Sequence, residues 1–239
     1  MSITKKIAKW VSNYDRQESV GSRFRAKRAA PLLEMIETVF NIHGAANIVD
    51  IGGTKTYWGI VAAEFLEEYK VQITIVNLPE SVPPEERGRF SFVEGDGCDL
   101  SQFADKSFHI AHSNSVLEHV GDWNRMRQFA KEISRVAEDY FVQTPNYWFP
   151  IEPHSMTPFF HWLPKPLRIW LVSRFQLGHW KKAKSKNDAV RIVESARLLN
   201  KKKFQQLFAD ADILTERYLG LPKSFVAIRK SISESLNVS

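Results

Sequence analysis

At 239 residues, with 44% hydrophobic and 25% charged side chains, the sequence can bury one full core and has ordinary globular usage, which excludes global disorder. Its single cysteine, Cys98, excludes an intramolecular disulfide framework and the multi-cysteine zinc motifs. The net charge is +6, but residues 151–203 hold twelve Lys or Arg against three Asp or Glu, a local net of +9 that leaves −3 elsewhere. That concentration predicts an anionic partner or surface, with a solvated basic face as the alternative.

In chain order, Ile3, Ile7, Trp10, Val11 and Tyr14 share one helical face opposite Lys5, Lys6 and Lys9. The lysines are not followed by the continuous apolar stretch of a signal peptide, and no uncharged run approaches the roughly 18 residues of a membrane-spanning helix. A cytoplasmic protein, soluble or peripheral to a membrane, is expected. A second helix is predicted from about Arg23 to Phe40, ending near Gly44.

Apolar strand candidates then alternate with helices: Ile48 to Ile51, Val71 to Val76, Phe90 to Val93, Phe108 to His112 and Tyr140 to Gln143. Glu64 to Tyr69 and Trp123 to Val136 are the clearer crossover helices, so a mostly parallel sheet is expected. Residues 145–200, rich in Pro, Trp and basic side chains, interrupt the pattern as an insertion over a binding face. A helix from about Lys202 to Ala211 resumes it. Ile213 to Leu219 and Phe225 to Arg229 follow as two strands joined through Gly220, Pro222 and Lys223.

The most informative segment is Ile48-Val49-Asp50-Ile51-Gly52-Gly53-Thr54-Lys55-Thr56. A buried strand ends in an acid and two glycines, so the chain can turn sharply and bring backbone N–H groups close to a ligand. A Walker loop is rejected because Val49 occupies its first glycine position, and the G-x-G-x-x-G fingerprint fails at Thr54 and Tyr57.

On these residues and the landmarks after them, the sequence resembles the class I S-adenosylmethionine-dependent methyltransferases, particularly the broad type 11 group, from about Asp50 to Arg229. The resemblance implies a Rossmann-like α/β fold. Its mostly parallel seven-stranded sheet would carry an antiparallel C-terminal hairpin, an N-terminal helical extension over 1–44 and a helical cap inserted at about 145–200, all in one methyltransferase domain. It implies S-adenosylmethionine as cofactor, with Asp50, Gly52, Gly53 and Thr54 in the glycine-rich loop. Asn77, followed by Leu78, stands where the family usually places an acid for the ribose hydroxyls; an amide can bond both. Asp96, Gly97 and Cys98 match the adenine-binding turn, and Ser113 and Asn114 the carbonyls near the sulfonium.

Val116-Leu117-Glu118-His119-Val120 contains the family's "LEHV" segment at the substrate edge. His119 is a candidate general base there, with a satisfied structural histidine as the alternative. Some relatives bind a divalent metal through Glu-x-x-Glu-His; Ser115 replaces the first glutamate, so no metal is expected. After the fifth strand, His154 is a second candidate base, while Trp148, Glu152 and His161 are candidate acceptor contacts. The expected acceptor is a small molecule, sugar or lipid-linked glycan, methylated on a hydroxyl. No nucleic-acid module is recognisable. The alternative is a weakly catalytic module that binds RNA, anionic glycan or membrane through its basic insertion. Leu167, Trp170, Leu171 and Phe175 form the expected apolar stripe of that insertion, either a lid on the sheet or a contact with an anionic membrane.

Overall fold

The computed structural model describes residues 20–79 and 88–231. The amphipathic segment from Ile3 to Tyr14 lies outside them. Helix α1 spans Val20–His43 and stops where Gly44, at φ +71°, donates its N–H to the Phe40 carbonyl. Strand β1 (Ala46–Ile51) leads through the short helices α2 (Lys55–Trp58) and α3 (Ala63–Glu68) to β2 (Val71–Asn77), β3 (Phe90–Glu94) and β4 (Phe108–Asn114). Helix α4 (Trp123–Val136) and strand β5 (Ala137–Pro145) complete the parallel part.

The seven-stranded sheet has the order β3-β2-β1-β4-β5-β9-β8, where β8 is Asp212–Tyr218 and β9 is Leu221–Arg229. The first five strands pair in parallel, and β9 runs antiparallel to both β5 and β8. Because side chains alternate along a strand, successive residues feed two different cores. Val49, Ala111, Tyr140 and Val142 meet α4 and the helix α7 (Lys201–Leu207), whereas Ile48, Ile110 and Phe141 meet α1 and α2. Helix α4 begins on Asp122, whose side chain accepts the Arg125 N–H, and buries Met126, Phe129, Ala130 and Ile133 at helical spacing.

Boundaries differ from the expectation, and three of the differences have a physical cause. Strand β5 begins three residues earlier, because the polar Asp139 pairs with Ile110 and its carboxylate accepts from the Ser231 N–H and hydroxyl. Helix α7 ends at Leu207, where Phe208 leaves the helical region. The C-terminal hairpin turns at Leu219 and Gly220, both at positive φ, so Pro222 and Lys223 belong to β9. Pro222 is tolerated there because β5 pairs with β9 only from Ser224 onward.

The insertion forms β6 (Ile151–Glu152) paired with β7 (Thr157–Pro158), a 3-10 turn at Phe160–Trp162, and helices α5 (Lys165–Arg174) and α6 (Lys186–Glu194). Phe160, Val172, Ala189 and Val193 give it a small core of its own. The expected apolar stripe divides: Leu171 packs on this core, while Leu167, Trp170 and Phe175 are exposed.

Candidate active site

The C-terminal ends of β1, β2 and β4 open on one edge of the sheet, the edge at which open α/β sheets take ligands. After β1 the chain turns at Gly52, whose φ is +72° and whose N–H donates to the Val76 carbonyl at 2.8 Å. A Cβ on Gly52 would stand 2.5 Å from a methyl of Val116, and one on Gly53 would stand 1.8 Å from Asp50 Oδ2. Any side chain at Gly53 therefore displaces the loop. Thr54 caps α2 by accepting the Tyr57 N–H.

Asp50 is fully buried. Trp58 Nε1 donates to its Oδ2 at 2.8 Å, and His112 Nδ1 lies 2.7 Å from its Oδ1. Both oxygens thus brace the loop from beneath. Asn77 donates its amide hydrogen to the Gly53 carbonyl at 2.9 Å, tying the end of β2 to the same loop, and Leu78 beside it is exposed. Asp96 accepts from the Cys98 N–H at 3.0 Å and from Arg125 Nη2 at 2.5 Å. Partial burial opposes ionisation of Asp96, but these donors outweigh it and hold the carboxyl below its usual range. A Cβ on Gly97 would collide with Phe129 and Ile51 at 2.7 and 2.8 Å. Burial pushes the Cys98 thiol up to about 11. Ser113 donates to the Ile51 carbonyl at 3.0 Å, and Asn114 Oδ1 accepts from Arg28 at 2.6 Å.

A second group of polar side chains gathers where the insertion meets the end of β4. Ser115, at φ +58°, turns its hydroxyl onto Gln143 Oε1 at 2.8 Å. A 3-10 turn over Leu117–His119 follows. Within it Glu118 is buried; Thr144 Oγ1 donates to its Oε2 at 3.0 Å, and Oε1 has no partner among the described residues. Burial raises the Glu118 pKa, although the neighbouring imidazoles act against the rise. His119 is exposed, with Nδ1 2.7 Å from the Ser195 carbonyl and Nε2 3.0 Å from His154 Nε2. His154 Nδ1 lies 2.6 Å from Glu152 Oε1.

Burial opposes ionisation of both members of this last pair, and their mutual attraction overcomes it: His154 is raised and Glu152 lowered. The Ser155 N–H also donates to Glu152 Oε2, at 2.5 Å. Trp180 stacks on the His154 ring. His161 Nε2 reaches the Tyr147 carbonyl at 2.7 Å and leaves Nδ1 buried without a partner among the described residues. Trp148 is 62% exposed, its ring beside those of Tyr147 and Trp162. Beside this group lies a cavity of about 320 Å³, lined by Glu152, His161, Lys165, Arg168, Trp180 and Arg197 among others.

Residues 58–139, about a third of the chain, match the family model described as a methyltransferase domain. Over those residues the chain carries a methyltransferase domain. Similar solved structures include a protein from Methanosarcina mazei described as an S-adenosylmethionine-dependent methyltransferase, at 17% identity, 80% coverage of this chain, 95% of that one and a TM-score of 0.47. An O-methyltransferase family protein from Burkholderia thailandensis matches at 16% identity over 92% of this chain and 62% of its own, with a TM-score of 0.46. Human N-acetylserotonin methyltransferase, solved with S-adenosylmethionine, matches at 15% identity over 85% and 53%, with a TM-score of 0.43. This chain thus spans less than two thirds of the last two. No curated protein matches the sequence.

The family of the matched domain binds S-adenosylmethionine, and the residues at this sheet edge suit that cofactor. Gly52 and Gly53 keep the first loop free of side chains, Asn77 is half-buried at the end of β2, and the Asp96 side chain is 40% exposed at the turn after β3. Sequence reasoning assigned no role to Arg125, His112 or Trp58, the partners of the predicted acids, which adjacency along the chain does not reveal.

Proposed function

We propose that this methyltransferase moves the methyl group of its cofactor to a hydroxyl of a small anionic acceptor, of the sugar or lipid-linked glycan class, held beneath residues 145–200. In this reading those residues are a cap on a single methyltransferase domain, with residues 1–44 as an N-terminal extension. The bound cofactor supplies an electrophilic methyl on a sulfonium. Gly52, Gly53 and Thr54 would take its methionine end, Asn77 and Leu78 the ribose side, and Asp96, Gly97 and Cys98 the adenine. Ser113 and Asn114 would contribute backbone carbonyls near the sulfonium, and Asp50 would act through the loop it braces.

The carrying observation is the meeting of His119 and His154, 3.0 Å apart, beside a cavity whose lining brings Lys165, Arg168 and Arg197 together with Trp180. Cations there favour a phosphate or carboxylate, and an aromatic face suits a sugar ring. Lys165 is partly neutralised by Glu194, while Arg168 Nε has no partner among the described residues. Much of the rate enhancement then comes from holding the acceptor oxygen in line with the methyl carbon. In this reading the histidine pair meets that oxygen. Glu152 and His161 shape the cavity, and Trp148 its rim.

A screen that follows labelled methyl transfer to hydroxyl compounds, with and without a phosphate, tests the reading. Phosphorylated acceptors should be preferred, and Arg168→Ala should raise KM without weakening S-adenosylhomocysteine. Transfer confined to amines or uncharged acceptors would contradict it. A protein that binds S-adenosylhomocysteine but methylates nothing would favour the binding-module reading.

The exposed rings of Leu167's neighbours Trp162 and Trp170, together with Leu167 and Phe175, support a second property of the same cap, contact with an anionic membrane that carries the acceptor. Co-sedimentation with anionic vesicles that weakens at high salt would agree with it.

A further inference from the structure

Three donor atoms converge beside the acceptor cavity. Glu118 Oε1 is buried and has no partner among the described residues, and His119 Nε2 and His154 Nε2 face each other at 3.0 Å. One ligand atom from each of these three residues lies within 4.8 Å of the other two.

The outer bonds of the two rings decide where their protons sit. His119 Nδ1 is 2.7 Å from the Ser195 carbonyl, which can only accept, so a neutral ring carries its hydrogen on Nδ1. His154 Nδ1 faces the Glu152 carboxylate at 2.6 Å, with the same consequence. With those hydrogens on Nδ1, both Nε2 atoms present lone pairs to the space between the rings, and the buried Glu118 carboxyl lies beside it. A cation there satisfies all three groups, where the rings alone share a single proton.

We propose that Glu118, His119 and His154 form a binding site for a divalent transition-metal ion of the zinc type. Two imidazoles and one carboxylate are a donor set that suits zinc, whereas Mg²⁺ favours oxygen ligands and retains its waters. Zinc takes nitrogen and oxygen at about 2.0–2.2 Å, so neighbouring ligands around one ion lie about 3–3.5 Å apart, a spacing the imidazole pair already has. The outer shell is also present: each ring's other nitrogen is fixed, one by a carboxylate and one by a backbone carbonyl.

Three protein ligands leave the fourth position open. On the proposed function, on which this last step rests, the acceptor hydroxyl takes that position and releases its proton to water. Its oxygen then attacks the methyl carbon as the carbon–sulfur bond breaks and the electron pair goes to sulfur. The expectation of no metal rested on Ser115, and Ser115 does point away, onto Gln143. The missing ligand comes instead from His154, 35 residues along the chain from His119, in the insertion.

The test uses the full chain, stripped with a chelator and titrated calorimetrically with Zn²⁺, with Co²⁺ absorption as a probe of nitrogen and oxygen coordination. S-adenosylhomocysteine binding is measured in parallel as the check on folding. The expected result is one Zn²⁺ per chain. Glu118→Gln, His119→Ala and His154→Ala should each weaken it on the order of 100-fold or more, and Glu152→Gln about 10–100-fold. His179→Ala should leave uptake unchanged. A chain that binds S-adenosylhomocysteine yet takes up neither Zn²⁺ nor Co²⁺ overturns the inference, a proton shared by the two rings being the only cation, and leaves the methyltransferase reading intact. Uptake that survives His119→Ala combined with His154→Ala overturns it as well.

Discussion

The cofactor edge and the acceptor edge are built from the same kinds of residue but differ in how their polar atoms are spent. At the cofactor edge Asp50, Asn77, Asp96, Ser113 and Asn114 all hold other parts of the protein, so the loops are braced before a ligand arrives. At the acceptor edge Glu118 Oε1, Ser155 Oγ, His161 Nδ1 and Arg168 Nε are buried and without partners among the described residues. Buried polar atoms in folded proteins are rarely left unpaired. One such atom, His112 Nε2, lies beneath the cofactor loop against four at the acceptor edge, and on the proposed function that excess separates a braced binding loop from a site that its occupants complete.

The comparison breaks most readily at Gly53. Gly53→Ala places a Cβ 1.8 Å from Asp50 Oδ2, and calorimetry should show S-adenosylhomocysteine binding weakened by more than about 100-fold. Unchanged binding would mean that the loop is not the cofactor's seat. Next in size, His154→Ala should lower turnover by about 10²–10⁴-fold while cofactor affinity stays the same, the split that separates the two edges. Equal losses in both would join them into one structural unit.

Asp50→Ala should cost about 3–5 kcal/mol in chemical denaturation, because removing a buried carboxylate strands the Trp58 indole and His112. A change below about 1 kcal/mol would show that the brace is dispensable. Smaller again, Arg168→Ala should raise KM for a phosphorylated acceptor about tenfold, close to 1.4 kcal/mol, and leave KM for an uncharged one unchanged. The smallest effect is expected from Trp170→Ala, a reduction of a few-fold in sedimentation with anionic vesicles and none in methylation of a soluble acceptor.

The same contrast explains what could be read from the sequence. The parallel strands were legible because burial on both faces makes their residues mostly apolar, as in Ile48-Val49 and Ile75-Val76, and α4 because its apolar positions recur at helical spacing. Gly52 and Gly53 stood out since only the lack of a Cβ permits that turn. Asp139 concealed the start of β5, because its acid is satisfied by Ser231, 92 residues away. The acceptor edge was legible only as separate candidates. His119 and His154 each looked plausible, but their meeting depends on how the insertion folds back onto the 3-10 turn at Leu117–His119. Glu118 was visible only as part of a motif, and no local pattern announces that its side chain is buried with one oxygen unmet.

Transfer of a labelled methyl group from S-adenosylmethionine to phosphorylated hydroxyl acceptors, compared between the intact protein and His154→Ala, tests the account most directly. The account predicts transfer by the intact protein and a loss of at least about 100-fold in the variant, with S-adenosylhomocysteine bound equally well by both. Equal transfer by both, or an intact, folded protein that binds a nicotinamide cofactor and neither S-adenosylmethionine nor S-adenosylhomocysteine, would contradict it.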